Sequence, residues 1–206
     1  MALLSYSCGG KLLAAATLLV LGASTSCNNT YSSYSLKPSR FSLPLPPRRT
    51  DPTPLLPNGD FECGLAPWFV EVPDQAIRFA VGAPGHTGGN SLQVNFTPPS
   101  GRTQSGISVR LVGTPVRVVP NIAYRLSFWT WFDNAKAGYI DVLFNDMPIY
   151  VVNSTDHGYG GDFTPNAVDY IPTTDTAKIT FEYSFSANLF NPNIDRIDSI
   201  TLEPVQ

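Results

Sequence analysis

From Leu55 onward the chain is cut into strand-length runs of alternating apolar and polar residues, and no long stretch keeps a helical stripe. The runs are AIRFAVG (76–82), NSLQVNF (90–96), SGISVRLVG (105–113), AYRLSFWTWF (123–132), GYIDVLF (138–144), PIYVV (148–152), AVDYI (167–171), AKITFEYSF (177–185) and RIDSITLEP (196–204). Between them lie GAPGHTGGN, TPPSGR, DNAKAG, NDMP and HGYGGDFTPN, whose Gly, Pro and Asn favour turns. Short strands at this spacing predict an all-β domain, a β-sandwich or jelly roll. Hydrophobic residues make up 43% of the chain, which is enough to fill one core.

Strand parity assigns faces, because successive side chains point to opposite sides. In 123–132, Tyr124, Leu126 and Phe128 share one face, opposite Arg125, Ser127, Trp129 and Trp131. In 177–185, Ile179, Phe181, Tyr183 and Phe185 oppose Lys178, Thr180, Glu182 and Ser184. In 138–144, Ile140, Val142 and Phe144 oppose Tyr139, Asp141 and Leu143. Each strand therefore has an apolar side for the core. The other side mixes aromatic and polar groups, unlike an ordinary solvated face.

The first 54 residues read differently. Lys11, the apolar run LLAAATLLVLGA (12–23), and small Ser24 and Ser26 before Cys27 match a secretory signal peptide over 1–26. The run is short for a membrane span. Residues 27–54 are Ser- and Pro-rich and read as a linker or propeptide. Arg48-Arg49 is either a processing site or a solvated basic patch. Three sequons, at Asn28, Asn95 and Asn153, are expected glycosylation sites in a secreted chain. Cys27 and Cys63 would survive signal removal and can pair as a disulfide in an oxidising compartment. No CxxC or Cys/His cluster points to zinc. A secreted, extracellular protein is expected, with no membrane anchor in the mature form. Residues 51–206 carry eight basic side chains against sixteen acidic, which argues against nucleic acid.

LLPNGDFECGLAPW (55–68) resembles the opening motif of CenC-type carbohydrate-binding modules, Asn-x-x-Phe-Glu…Gly…Leu-x-x-Trp. GGNSLQVNF (88–96), YRLSFW (124–129) and IDSITLEP (197–204) are similar to three later strands of that family, in the same order. The resemblance spans 55–206 and implies a jelly-roll sandwich of the galactose-binding-domain-like type that binds polysaccharide or oligosaccharide. It also implies a structural calcium, with Glu62 and Asp198 as carboxylate ligands and the Asn58 region and the 88–90 loop adding carbonyls. Two features depart from the pattern. Ser199 stands where a second Asp is common, and the connection 153–166 is longer than usual.

The candidate ligand groove joins Trp129, Trp131 and Tyr139 as stacking rings with Arg125, Asp141 and Glu182 as polar partners, on the expectation that their strands are adjacent. The alternative is that a loop, such as 153–166, covers the two tryptophans. Trp68 is expected in the core, and His86 and His157 are expected as solvated loop histidines. Asp141 and Glu182 are also a conceivable glycosidase pair, but no catalytic motif accompanies them. Two functions follow: a secreted, non-catalytic glycan-binding protein, or a secreted interaction or surface protein that recognises another protein and no sugar.

Overall fold

A computed structural model of the protein describes residues 55–71, 76–97, 107–134, 137–156, 160–185 and 193–205. The expected signal peptide, the linker with Arg48-Arg49, Cys27, Asn28 and His157 lie outside the described residues. The described residues form strands and turns and contain no helix.

The strands are β1 (Phe69–Glu71), β2 (Ile77–Gly82), β3 (Ser91–Phe96), β4 (Ile107–Val112), β5 (Val116–Arg117), β6 (Tyr124–Phe132), β7 (Gly138–Phe144), β8 (Met147–Asn153), β9 (Thr164–Tyr170), β10 (Thr176–Ala177), β11 (Ile179–Phe185) and β12 (Asn193–Pro204). Every run marked by alternation is a strand. β1 and β5 were not marked, because three and two residues are too few to show a period. Two five-stranded antiparallel sheets result, ordered β1-β4-β11-β7-β8 and β2-β3-β12-β6-β9, with a small β5–β10 ribbon beside them. The architecture is the expected jelly-roll β-sandwich.

The predicted core faces of β6, β7 and β11 are all buried. Phe128 of one sheet meets Phe181 of the other edge to face, with ring centroids 5.1 Å apart. Phe96 stacks on Phe185 at 4.9 Å across the same interface. Trp68 is in the core as expected, between Phe61 and Phe181. Burying each such side chain contributes roughly 1.5–3 kcal/mol, which makes this the main favourable term.

One topological fact decides the site. β6 and β7 follow one another in the chain but belong to different sheets. β6 lies between β12 and β9, whereas β7 lies between β11 and β8.

Candidate functional site

The opening motif is a knot of turns rather than a strand. Asn58 adopts the left-handed conformation at φ 51°, which Asn tolerates better than most residues. Its carboxamide nitrogen donates to the carbonyls of Gly64 and Ala66, at 2.7 and 2.8 Å, and its oxygen accepts from Cys63 N at 3.1 Å. One side chain thus ties a tight loop that drives Phe61 into the core and aims Glu62 outward. Sequence reasoning passed over this role of Asn58. Cys63 in the same loop is disulfide-bonded. Its expected partner, Cys27, lies outside the described residues.

Glu62 and Asp198 do converge, and what they hold is the glycine-rich loop after β2. Glu62 Oε1 accepts from Gly89 N and Asn90 N, both at 2.8 Å. Asp198 Oδ2 accepts from His86 N at 2.6 Å and Thr87 N at 3.3 Å, while Oδ1 accepts from Ser199 N at 2.6 Å. A bulge in β12 at Asp198 makes this geometry. It leaves Ser199 at φ 53° and turns Ile200 N toward Gly59 O, 2.9 Å away, joining the last strand to the opening motif. Gly88 is required here. Its φ is +84°, and a Cβ would come within 2.5 Å of Glu62 Oε1.

That donor set tests the calcium expectation. A calcium ion takes six to eight oxygens. The loop turns backbone N–H groups toward both carboxylates, and the positive ends of those dipoles oppose a cation. Among the described residues no group of three or more His, Cys, Asp or Glu could hold a metal. The pair does not fit a calcium site; it clamps a loop through amides. Chelation by EDTA followed by added calcium should leave the melting temperature within about 1 °C. A rise of several degrees on adding calcium, the size expected for a ligand well above its Kd, would overturn this.

The six residues expected to share one groove are divided between two opposite faces. Arg125, Trp129 and Trp131 lie on β6, on the outside of the β2-β3-β12-β6-β9 sheet. Tyr139, Asp141 and Glu182 lie on β7 and β11, on the outside of the other sheet. The expectation that β6 and β7 are adjacent is therefore corrected.

On the β6 face the rings are already occupied. His86 stacks on Trp129 with centroids 3.6 Å apart and planes 15° apart, and Phe163 meets the imidazole at its edge. The Asp198 clamp on His86 N sets that stack, because Asp198 lies directly across from Trp129. His86 is thus a packing partner and not a solvated loop residue. The Arg196 guanidinium covers Trp131 at 4.3 Å, and the Trp131 indole N–H donates to Gly161 O at 2.8 Å. The long 153–166 connection therefore does reach the tryptophans. Arg125 is held by Asp169 through two hydrogen bonds of 2.7 and 2.8 Å.

The β7 face is open. Cross-strand register lines up Ser108, Ser184, Tyr139 and Asn153 in one row. Glu71, Arg110, Glu182, Asp141 and Val151 form the next. Tyr139 is 43% exposed, and among the described residues no other ring or cation stacks on it. Arg110 Nε donates to Glu182 Oε2 at 2.8 Å. Asp141 is pushed above the usual carboxylate range, first by burial and then by the charge of Glu182. In the row beyond, Val112, Thr180 and Leu143 are closed to solvent, while Phe69 at its edge is exposed.

A third polar group escaped sequence reasoning. Asp195 points into the core, 3% exposed. Its Oδ1 accepts from Asn193 Nδ2 at 2.7 Å, and the buried Tyr183 hydroxyl has no hydrogen-bond partner among the described residues. Burial raises the Asp195 pKa to about 8, against the Asn193 bond and with help from the charge of Asp133. The alternation of β12 reads through Asp195 as a core position, but parity alone does not say that a carboxyl occupies it without a cation.

No family model matches the chain, and no curated protein matches it. Solved structures do resemble it. The enzymatically active domain of tailspike protein 4 from bacteriophage CBA120 matches with a TM-score of 0.53 and 12% identity, over 74% of this chain and 21% of that one. The K3 cleaved adhesin domain of Lys-gingipain from Porphyromonas gingivalis W83 matches at 0.50 and 15%, over 69% and 95%. TmCBM61, solved with β-1,4-galactotriose, matches at 0.46 and 22%, over 74% and 99%. At such identities the likeness of this chain to the tailspike and adhesin domains establishes its sandwich fold and nothing of its chemistry.

Proposed function

We propose that this domain is a non-catalytic carbohydrate-binding module of the CenC type, and that its ligand face is the outside of the β1-β4-β11-β7-β8 sheet. The observation that carries this is the free ring of Tyr139, one row from Asp141, Glu182 and Arg110. A sugar ring has an apolar C–H face that stacks on an aromatic ring and hydroxyls that exchange hydrogen bonds with carboxylates and guanidinium. The four-motif resemblance of the sequence supports the same reading. Trp129 and Trp131, the richer aromatics, are the poorer candidates, since His86 and Arg196 already lie over them. A shallow face that orders few groups gives modest affinity per site. Catalysis is not part of the proposal, because Glu182 Oε2 is committed to Arg110.

Affinity electrophoresis and calorimetry against a panel of soluble polysaccharides and oligosaccharides test it. One class should be retained, and Tyr139→Ala should weaken it at least about tenfold, or ~1.4 kcal/mol. Trp131→Ala should change it little. Retention unaltered in Tyr139→Ala and lost in Trp131→Ala would move the site to the opposite face. A full panel without binding would reject the module reading and favour the protein-interaction alternative.

A further inference from the structure

The sequon Asn153-Ser154-Thr155 leaves β8 beside the candidate ligand face. Register places Asn153 directly across from Tyr139. Directly opposed residues share a face, with Cβ atoms about 4.5–5.5 Å apart. The pair is tied on one side by two bonds between Gly138 and Ser154. Ser154 N donates to Gly138 O at 3.0 Å, and Gly138 N donates to Ser154 Oγ at 3.2 Å. Asn153 Nδ2 donates to exposed Asp156 Oδ2 at 3.1 Å. An Asn amide has two N–H groups, and glycosylation replaces one hydrogen, so the Asp156 bond can persist. The second hydroxyl residue of the sequon, Thr155, is exposed, and its hydroxyl meets only the Asp156 side chain among the described contacts. The other described sequon differs. Asn95 lies opposite Arg78 and Ile194, with no ring across from it.

We propose that Asn153 carries an N-linked glycan whose first sugar stacks on Tyr139, so that the chain caps its own candidate ligand face. The covalent step transfers an oligosaccharyl group from a lipid-pyrophosphate donor to Asn153 Nδ2. The sugar C1–N bond forms, the C1–O bond to pyrophosphate breaks, the amide loses one proton, and the lipid pyrophosphate leaves. The first sugar, an N-acetylhexosamine, then sits one residue's width from an exposed ring on which no other ring or cation stacks among the described residues, and its C–H face finds the apolar surface that Tyr139 otherwise presents to water. The stack stands on register and exposure alone. Its consequence, competition with an external glycan, rests on the binding function proposed above.

The full chain, secreted from a eukaryotic host, tests this by three comparisons. Peptide mapping should find Asn153 occupied. After trimming to a single sugar, NMR should show that sugar's ring protons shifted upfield by the Tyr139 ring, and Tyr139→Ala should abolish the shift. The single-sugar form should also melt about 2–4 °C above the Asn153→Gln form, as about 1 kcal/mol would in a domain of this size, with no such gain in the Tyr139→Ala background. An unoccupied Asn153, or a sugar without the upfield shift, overturns the proposal. For the consequence, Asn153→Gln should bind any panel glycan several-fold more tightly than the glycosylated chain. If the shift is present but neither form binds a glycan, the stack holds and the function reading alone fails.

Discussion

Asp195→Asn should stabilise the protein at pH 8 by on the order of 5 kcal/mol, and the gain should vanish near pH 3. The reason is that folding takes this carboxyl out of water without giving it a cation. Its only described hydrogen-bond donor is the Asn193 amide, while the charge of Asp133 disfavours ionisation further. The folded-state pKa of about 8 lies above the ordinary value of 3.8, so the folded protein holds the proton more tightly than the unfolded chain. For a raised acid the sign is fixed. Stability is highest below the unfolded pKa and falls as pH rises toward the folded one. Asparagine cannot ionise and keeps the oxygen that Asn193 donates to. The variant should therefore lose that decline. Thermal melts of both proteins from pH 3 to pH 9 check it. A shift of roughly 10–20 °C at pH 8 is expected. A destabilised variant, or a difference independent of pH, would show that the carboxyl has a partner in the folded state that neutral asparagine cannot replace.

The sequence made some of this legible and concealed the rest, for identifiable reasons. Parity is a local property, so the core faces of β6, β7 and β11 could be read from spacing alone, down to Trp129 and Trp131 pointing outward. Sheet membership is not local. Nothing in the residues between Phe132 and Gly138 states that the chain crosses from one sheet to the other there, so runs adjacent in sequence read as adjacent strands. That single assumption placed Tyr139 beside Trp129. The His86 stack was hidden for a similar reason. A glycine-rich loop reads as solvated until Glu62 and Asp198, 24 residues before and 112 after His86, are seen to bind its amides. The family resemblance brought those two carboxylates to one place. It did not disclose whether the loop offers them carbonyls, which would need a cation between, or N–H groups, which do not.

The second large effect concerns the other buried carboxylate of β12 and has the opposite sign. Asp198→Asn should destabilise the protein by about 2–4 kcal/mol at pH 7. Asp195 and Asp198 stand three positions apart and both are closed to solvent, yet their donors differ. Asp198 accepts from the backbone of His86, Thr87 and Ser199. Burial still pushes its pKa up, with those three bonds and the charge of His86 pulling the other way. Asparagine supplies one acceptor oxygen and one donor nitrogen. Whichever way the amide turns, its NH2 faces a backbone N–H that sits 2.6 Å from the carboxylate it replaces, at Ser199 or at His86. One or two N–H groups then lose their acceptor away from water, and the loop between β2 and β3 loses its hold on that side. Glu62 would keep the Gly89 and Asn90 end, so the loop should loosen at His86 first and free the face of Trp129. Tryptophan fluorescence should report that local change in the folded variant, before denaturant unfolds it, while chemical denaturation reports the loss of stability. An unchanged midpoint with an unchanged spectrum would mean that Asp198 is not what holds His86 over Trp129. The same strand would thus contain one carboxylate whose removal strengthens the fold and one whose removal weakens it, divided by whether backbone N–H groups were turned toward it.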